Sequence, residues 1–149
     1  MAMNRTLFVG TLACLWVANL VAFPATAQET DTVNIRLTID GKVFNASLLD
    51  NATTRDLVSL LPMTLTLEDY ASTEKIAYLP RKLATAGAPE GIDPSVGDIT
   101  YYAPWGNLAL FYKDFGYSKG LVKLGSIDQG VRALQRLGNS MATVELLPE

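Results

Sequence analysis

The sequence feature that most constrains the fold is a strict apolar–polar alternation that ends in a tight-turn dipeptide. Apolar residues take every second position at its start: Val33, Ile35, Leu37 and Ile39. A period of two is typical of a β-strand with one buried face. Asp40-Gly41 follows, and this pair favours a two-residue turn in which both central residues have positive φ. The segment therefore predicts a β-hairpin, with the returning strand over residues 42–49.

Similar patterns predict a mostly β fold for the rest of the chain. Strands are expected over residues 63–68, 97–103, 108–113, 121–125 and 141–147. Residues 69–98 contain several prolines and glycines and predict a long, less regular loop. Most connections leave no room for parallel crossovers, so we expect a closed antiparallel β-barrel. Its predicted interior contains Ile35, Leu37, Ile39, Leu65, Leu67, Ile99, Leu110, Val144 and Leu146.

Two short helices are expected between these strands. Residues 51–54 supply N-cap candidates for a helix over residues 55–61, which Pro62 ends. A second helix is expected over residues 128–137, where Val131, Leu134 and Leu137 form one apolar face. Gly138 is a suitable residue to close it.

Residues 1–27 predict a cleavable secretory signal. Arg5 precedes a nearly uncharged apolar run over residues 7–23, and Ala25 and Ala27 give the small-x-small pattern of a peptidase site before Gln28. The alternative is a membrane anchor, which needs roughly 20 apolar residues. The run is shorter, contains Asn19 and ends at a proline, so cleavage is favoured. We thus expect one domain over residues 28–149, located in the periplasm or secreted, with no membrane contact after cleavage.

The composition of residues 28–149 excludes several classes of chemistry. The sequence has no histidine, and its one cysteine lies within the signal segment. This excludes Ser-His-Asp and Cys-His nucleophilic sites and the usual zinc and copper ligand sets. Without Arg5, 11 basic residues face 15 acidic ones, a net charge of 11 − 15 = −4. Nucleic acid is therefore not an expected partner, and no metal or cofactor is expected.

These elements together resemble those of a known protein family. The hairpin over residues 35–44, with the helix that follows it, is similar to the opening of cyclophilins. The runs Leu65-Thr-Leu-Glu-Asp-Tyr70 and Tyr102-Ala-Pro-Trp-Gly-Asn107 resemble more closely the small bacterial cyclophilin-like proteins. The resemblance covers nearly all of residues 33–147. It implies an eight-stranded barrel capped by two helices, with a peptide groove on the outer barrel face.

The resemblance also gives an expectation about catalysis. True cyclophilins isomerise prolyl bonds with an arginine on the third strand, against an uncatalysed barrier of ~18–20 kcal/mol. The equivalent strand here reads Met63-Thr-Leu-Thr-Leu-Glu-Asp-Tyr70 and contains no arginine. Its predicted outward positions carry Thr64, Thr66 and Glu68, and an anion cannot replace that donor. We therefore expect isomerase activity to be absent.

A candidate ligand site follows from strand parity. If the aliphatic residues of segments 98–102 and 108–112 face the core, Tyr102 and Phe111 point outward, beside Trp105 in the turn. The functional interpretation is an aromatic ligand platform with Glu68 at its edge. The alternative is a second small core covered by the loop over residues 71–96, because aromatic residues dominate cores as well as interfaces.

Two functional hypotheses remain open. The first is a non-catalytic module that binds a peptide or a small molecule through Glu68, Tyr102, Trp105 and Phe111. The second is an enzyme, either a prolyl isomerase or one with a non-standard active site built on Glu68 and nearby tyrosines. A proline-peptide isomerisation assay separates the two.

Overall fold

The computed structural model describes residues 32–148. The predicted signal segment over residues 1–27 lies outside the described residues. The described chain folds as ten strands and two short helices, with the following bounds: β1 Val33–Ile39, β2 Lys42–Leu48, α1 Ala52–Val58, β3 Met63–Tyr70, β4 Glu74–Tyr78, β5 Gly91–Ile92, β6 Asp98–Tyr102, β7 Asn107–Phe111, β8 Ser118–Lys119, β9 Leu121–Ile127, a 3-10 helix Val131–Arg136, and β10 Ser140–Leu146.

Eight of these strands close into an antiparallel barrel, as the alternation pattern predicts. Their order around the barrel is β1-β10-β3-β4-β7-β6-β9-β2, and β5 and β8 form a separate two-stranded sheet. Closure leaves the barrel without unpaired edge strands, which would otherwise invite pairing with other chains. At the contact of β9 with β2, a Cβ on Gly125 would lie 2.2 Å from the carbonyl oxygen of Ser47. Only glycine permits this approach of the two backbones.

The first hairpin has the predicted turn. Asp40 and Gly41 have φ values of 47° and 75°, and Ile39 pairs with Lys42. The aspartate side chain also accepts a hydrogen bond from the Ser140 hydroxyl at 2.7 Å, which ties the turn to the start of β10.

The barrel interior contains eight of the nine residues predicted for it. Leu146 is the exception: it is 47% exposed. The pairing of β10 with β3 ends at Val144, so Leu146 extends past β3 and pairs only with Ile35 of β1. Parity gave the correct face, but the residue lies where the barrel wall has ended on one side.

Both predicted helical segments are helical, with shifted bounds. Asn51 is the N-cap of α1, and its side-chain oxygen accepts from the Thr54 amide at 2.8 Å. The second segment is a 3-10 helix, whose three residues per turn suit the spacing of Val131, Leu134 and Leu137. Leu134 is fully buried in the main core. Neither helix of residues 32–148 combines the length and apolarity needed to cross a membrane.

The segment predicted as a long loop is partly a strand. Strand β4 pairs with β3 on one side and with β7 on the other, so the expectation of an irregular region from 69 to 98 is wrong at its start. The remaining loop is held against α1 by Arg81, whose guanidinium donates to both carboxylate oxygens of Asp56 at 3.0 and 2.6 Å. Asp56 also accepts from the Ala84 amide. These bonds, led by that from Arg81, lower the pKa of Asp56 to about 2.

Candidate functional site

The outer face of β4, β7, β6 and β9 carries a second apolar cluster, separate from the barrel interior. Its buried residues are Ile76, Ala109, Phe111 and Leu121. Phe111 and Leu110 are adjacent in β7 and point to opposite faces of the sheet, so each belongs to a different cluster. Ile92 of β5 and Tyr102 of β6 pack against the outer cluster. The predicted outward orientation of Tyr102 and Phe111 is thus observed.

A pocket of about 380 Å³ opens beside this cluster. Its walls come from β3, β4, β6 and β7 and from the segment over residues 115–121. The lining residues are Tyr70, Ala71, Thr73, Glu74, Tyr102, Trp105, Asn107, Phe111, Phe115, Ser118, Lys119 and Leu121. The outer cluster is thus partly buried, and the pocket beside it is open. These aromatic residues therefore have features of both interpretations, a second small core and a ligand platform.

Trp105 is the central aromatic side chain of the pocket. Its ring meets Tyr70 edge-on, with ring centroids 5.6 Å apart, and meets Tyr102 in the same way at 5.5 Å. Such T-shaped pairs are the favoured arrangement of aromatic quadrupoles. Trp105 is nevertheless 48% exposed. An exposed indole fixed by two tyrosines offers a rigid apolar surface to a ligand.

Asn107 lines the pocket and has a buried acceptor without a partner. The residue is 2% exposed, and its Nδ2 donates to the Leu108 carbonyl at 3.0 Å. Its Oδ1 has no hydrogen-bond partner among residues 32–148. Turning the amide over would set Oδ1 against the Leu108 carbonyl, so the orientation is the favourable one. A buried acceptor left unpaired costs about 1–3 kcal/mol.

Glu74 is the acidic residue of the pocket. Register places it opposite Tyr70 of β3 and opposite Phe111 of β7, so all three side chains share the outer face. Within residues 32–148 no cation forms an ion pair with it. Burial of its carboxyl raises the pKa of Glu74 to about 7, because the charged form loses hydration. The group therefore exchanges its proton in the physiological range.

The opposite side of the same strands has a polar group inside the barrel. Lys75 is 1% exposed, and its Nζ lies 3.0 Å from Oδ1 of Asp69 and donates to the Leu137 carbonyl. Tyr112 donates to the same carboxylate at 2.6 Å. This bond from Tyr112 is the main reason that the pKa of Asp69 is lowered. Burial, with Asp69 nearby, raises the pKa of Tyr112 to about 12. These three groups satisfy one another and hold the end of the 3-10 helix segment.

The pocket includes three of the four predicted site residues. Tyr102, Trp105 and Phe111 line it, whereas Glu68 does not. Glu68 also points outward from β3, but it pairs with Ile76 of β4, which lies two residues along that strand from Glu74.

Sequence reasoning missed Glu74, Asn107, Tyr70 and Phe115. Glu74 falls in the segment predicted as a loop, because Lys75 beside it conceals the strand. Asn107 lies directly before the apolar run over residues 108–112, and this position is a usable signal. Among residues 32–148 no group of three or more His, Cys, Asp or Glu side chains is placed to hold a metal ion.

Together these features define a class of protein: a closed eight-stranded antiparallel barrel with an aromatic pocket on its outer face. A family model described as the cyclophilin-like family matches residues 37–146, and the chain belongs to this family. A hypothetical protein from Archaeoglobus fulgidus, solved in solution, has a similar fold with a TM-score of 0.61 and 14% identity. The match covers 81% of this chain and 99% of the archaeal one. At that identity the likeness shows the fold alone. Among curated proteins no relative matches.

Proposed function

We propose that this protein is an exported binding protein that holds a peptide or a small molecule in its outer-face pocket without isomerising proline. The observation that supports this most is the open pocket in which Trp105, 48% exposed, meets Tyr70 and Tyr102 edge-on. The indole offers a ligand an apolar surface, and the carboxyl of Glu74 in the same lining offers a polar contact, as small-molecule sites require.

The cation positions argue against prolyl isomerisation. The outward residues of β3 are Thr64, Thr66, Glu68 and Tyr70, without an arginine. Arg81 is held by Asp56, and it is not among the residues that line the pocket. A guanidinium that could donate to a proline nitrogen is thus missing from the described pocket.

The resemblance to cyclophilins also implies a role for the two helices, which would close the ends of the barrel.

Trp105→Ala tests the binding site with Nile red, a neutral dye whose fluorescence rises in apolar surroundings. Aromatic anchors at binding sites commonly contribute about 2 kcal/mol or more, so the dye affinity should fall at least about tenfold. The thermal midpoint should change little, because half of the indole surface is already exposed. Tyr78→Ala is a matched control, since Tyr78 is an exposed aromatic residue on β4 that does not line the pocket. Equal losses in the two variants, or unfolding of Trp105→Ala, would refute the proposal.

Export is proposed from the predicted signal segment. Intact mass of protein recovered from the periplasm or the medium should correspond to a chain that begins at Gln28. Recovery of residues 1–27 in a membrane fraction would instead identify an uncleaved anchor.

A second candidate function is catalysis at the same pocket. Glu74 favours it, because a carboxyl with a pKa of about 7 is suited to general acid–base work near neutral pH. The test is a proline-peptide isomerisation assay with the purified protein. A rate well above background that Glu74→Gln removes would establish catalysis and refute the non-catalytic proposal.

A further inference from the structure

The charges of the pocket have an unequal distribution. Lys119 lines the pocket, but its Nζ pairs with Glu90 at 2.8 Å, and both side chains are largely exposed. Glu74 is half-buried, and no cation of residues 32–148 pairs with it. When Glu74 is ionised, the uncompensated charge inside the pocket is therefore negative. A half-buried carboxylate without a partner is partly dehydrated, which is unfavourable, and a ligand that brings a positive charge compensates it.

The surroundings of Glu74 also favour a cation. Tyr70 lies directly across the strand pair from Glu74, and its ring is in contact with Trp105. The faces of tyrosine and tryptophan rings attract ammonium groups, and tryptophan is the strongest of the aromatic residues in this respect. The pocket group left without a protein partner is thus the ionisable carboxyl of Glu74, and a ligand with an ammonium donor satisfies it.

We infer that the natural ligand of this pocket is an organic cation: a protonated amine on an apolar chain or ring. The ammonium group contacts the carboxylate of Glu74 beside Tyr70 and Trp105, and the apolar body lies against Phe111 and Leu121. This inference rests on the proposed binding function and specifies its ligand class. A carboxylic acid as ligand is disfavoured, because it would bring a second anion to Glu74.

The inference predicts a particular pH dependence. The titratable groups on the elements packed around Glu74 are Tyr70 and Glu68 of β3, Tyr102 of β6, Tyr112, Lys119 with its partner Glu90, and, on the inner side of the sheet, Lys75 with Asp69. The two lysines are paired with acids, and the pKa of the Tyr112 phenol is raised to about 12. Glu74 therefore controls the response near pH 7. Since alkylamines stay protonated there, affinity for an amine should increase about tenfold from pH 6 to pH 8 as Glu74 ionises.

The test measures displacement of bound Nile red by three probes of equal length: hexylamine, 1-hexanol and hexanoate. We expect hexylamine to bind at least about tenfold more tightly than 1-hexanol at pH 8, and hexanoate to bind most weakly. In Glu74→Gln the advantage of hexylamine and its pH dependence should disappear. Glu68→Gln is the matched control, because Glu68 is an outward acid of β3 that does not line the pocket, and it should behave as the wild type does.

Each other outcome overturns a defined statement. If 1-hexanol or hexanoate equals hexylamine, or if no probe displaces a dye whose binding depends on Trp105, the cation inference is wrong and the proposed binding site stands. If dye binding does not depend on Trp105, the proposed site itself is wrong. Should Glu74→Gln fail to fold, the wild-type protein decides the matter: hexylamine affinity that is flat from pH 6 to pH 8 refutes the inference.

Discussion

Replacing Glu74 with glutamine should make the free protein more stable at alkaline pH and leave its stability at acidic pH unchanged. Burial holds the folded-state pKa of Glu74 at about 7, against 4.5 in the absence of burial. Between these values the folded state retains a proton that the unfolded state has released. The wild-type free energy of unfolding therefore decreases as pH rises from about 4.5 through about 7. Glutamine keeps the shape of the side chain and cannot ionise.

The magnitude follows from the same two pKa values. One pKa unit corresponds to about 1.36 kcal/mol, so a rise from 4.5 to about 7 sets an upper limit of about 3.4 kcal/mol. Glu74 is only half-buried, and solvent screening reduces the effect. We expect Glu74→Gln to exceed the wild type by about 1–2 kcal/mol at pH 8.5 and to equal it at pH 4. Urea titrations at the two pH values measure the difference.

The comparison of variants isolates this one group. Asp56 and Asp69 have lowered pKa values and give the opposite pH dependence, but they contribute equally to the wild type and to Glu74→Gln. Glu68→Gln should change the free energy of unfolding by less than ~0.5 kcal/mol, the range of ordinary surface changes. A Glu74→Gln protein that is no more stable than the wild type at pH 8.5 would show that Glu74 is well hydrated, and the argument for an uncompensated charge in the pocket would fail with it.

Four further variants test the barrel. Leu67→Ala should cost about 2–5 kcal/mol in a urea titration, as for other buried leucines, whereas Leu146→Ala at the exposed end of β10 should cost less than ~1 kcal/mol; similar losses would contradict the assigned faces. Tyr112→Phe removes the bond to Asp69 and should cost about 1–2 kcal/mol. Its ultraviolet titration, compared with that of the wild type, should lack the phenol whose pKa is raised to about 12. Gly125→Ala forces a Cβ into the backbone of β2 and should lower stability by about 1–3 kcal/mol or more, so an unchanged thermal midpoint would refute the close approach of the two strands.

The barrel could be predicted wherever a strand has one face in the core and one in solvent. In β1 and β3 the buried and exposed residues alternate, so hydrophobic periodicity indicates both the strand and its inner face. The Asp40-Gly41 turn adds a local signal, because few other residue pairs tolerate its backbone conformation. Leu146 shows the limit of this reasoning: periodicity gives the face of a residue but not the point at which the neighbouring strand ends.

Strand β4 could not be recognised in the same way, because both of its faces are covered. Ile76 belongs to the outer cluster and Ala77 to the barrel core, and the lysine between Glu74 and Ile76 is buried by contacts with Asp69 and Tyr112. Tyr112 is distant in sequence, and Asp69 faces Lys75 only through the pairing of β3 with β4, so a buried Lys75 is evident only after the strands are paired. A sequence window containing Glu74 and Lys75 resembles a solvated loop.

The same limit explains why Tyr102, Trp105 and Phe111 could be predicted as pocket residues and Tyr70 and Glu74 could not. Parity places Glu68 and Tyr70 of β3 on one face, but the row across the sheet that each joins depends on the register of β4 and β7. Register aligns Tyr70 with Glu74 and Phe111, and aligns Glu68 with Ile76 in a row that the outer cluster has already filled. Glu68, at the edge of the filled row, is exposed to solvent. Glu74, in the row with Tyr70, is partly desolvated and lies beside the open pocket. The chemistry of the site therefore depends on the register between β3 and β4, and neither strand alone carries a signal for that register. For this reason Glu74 rather than Glu68 is the residue to mutate first.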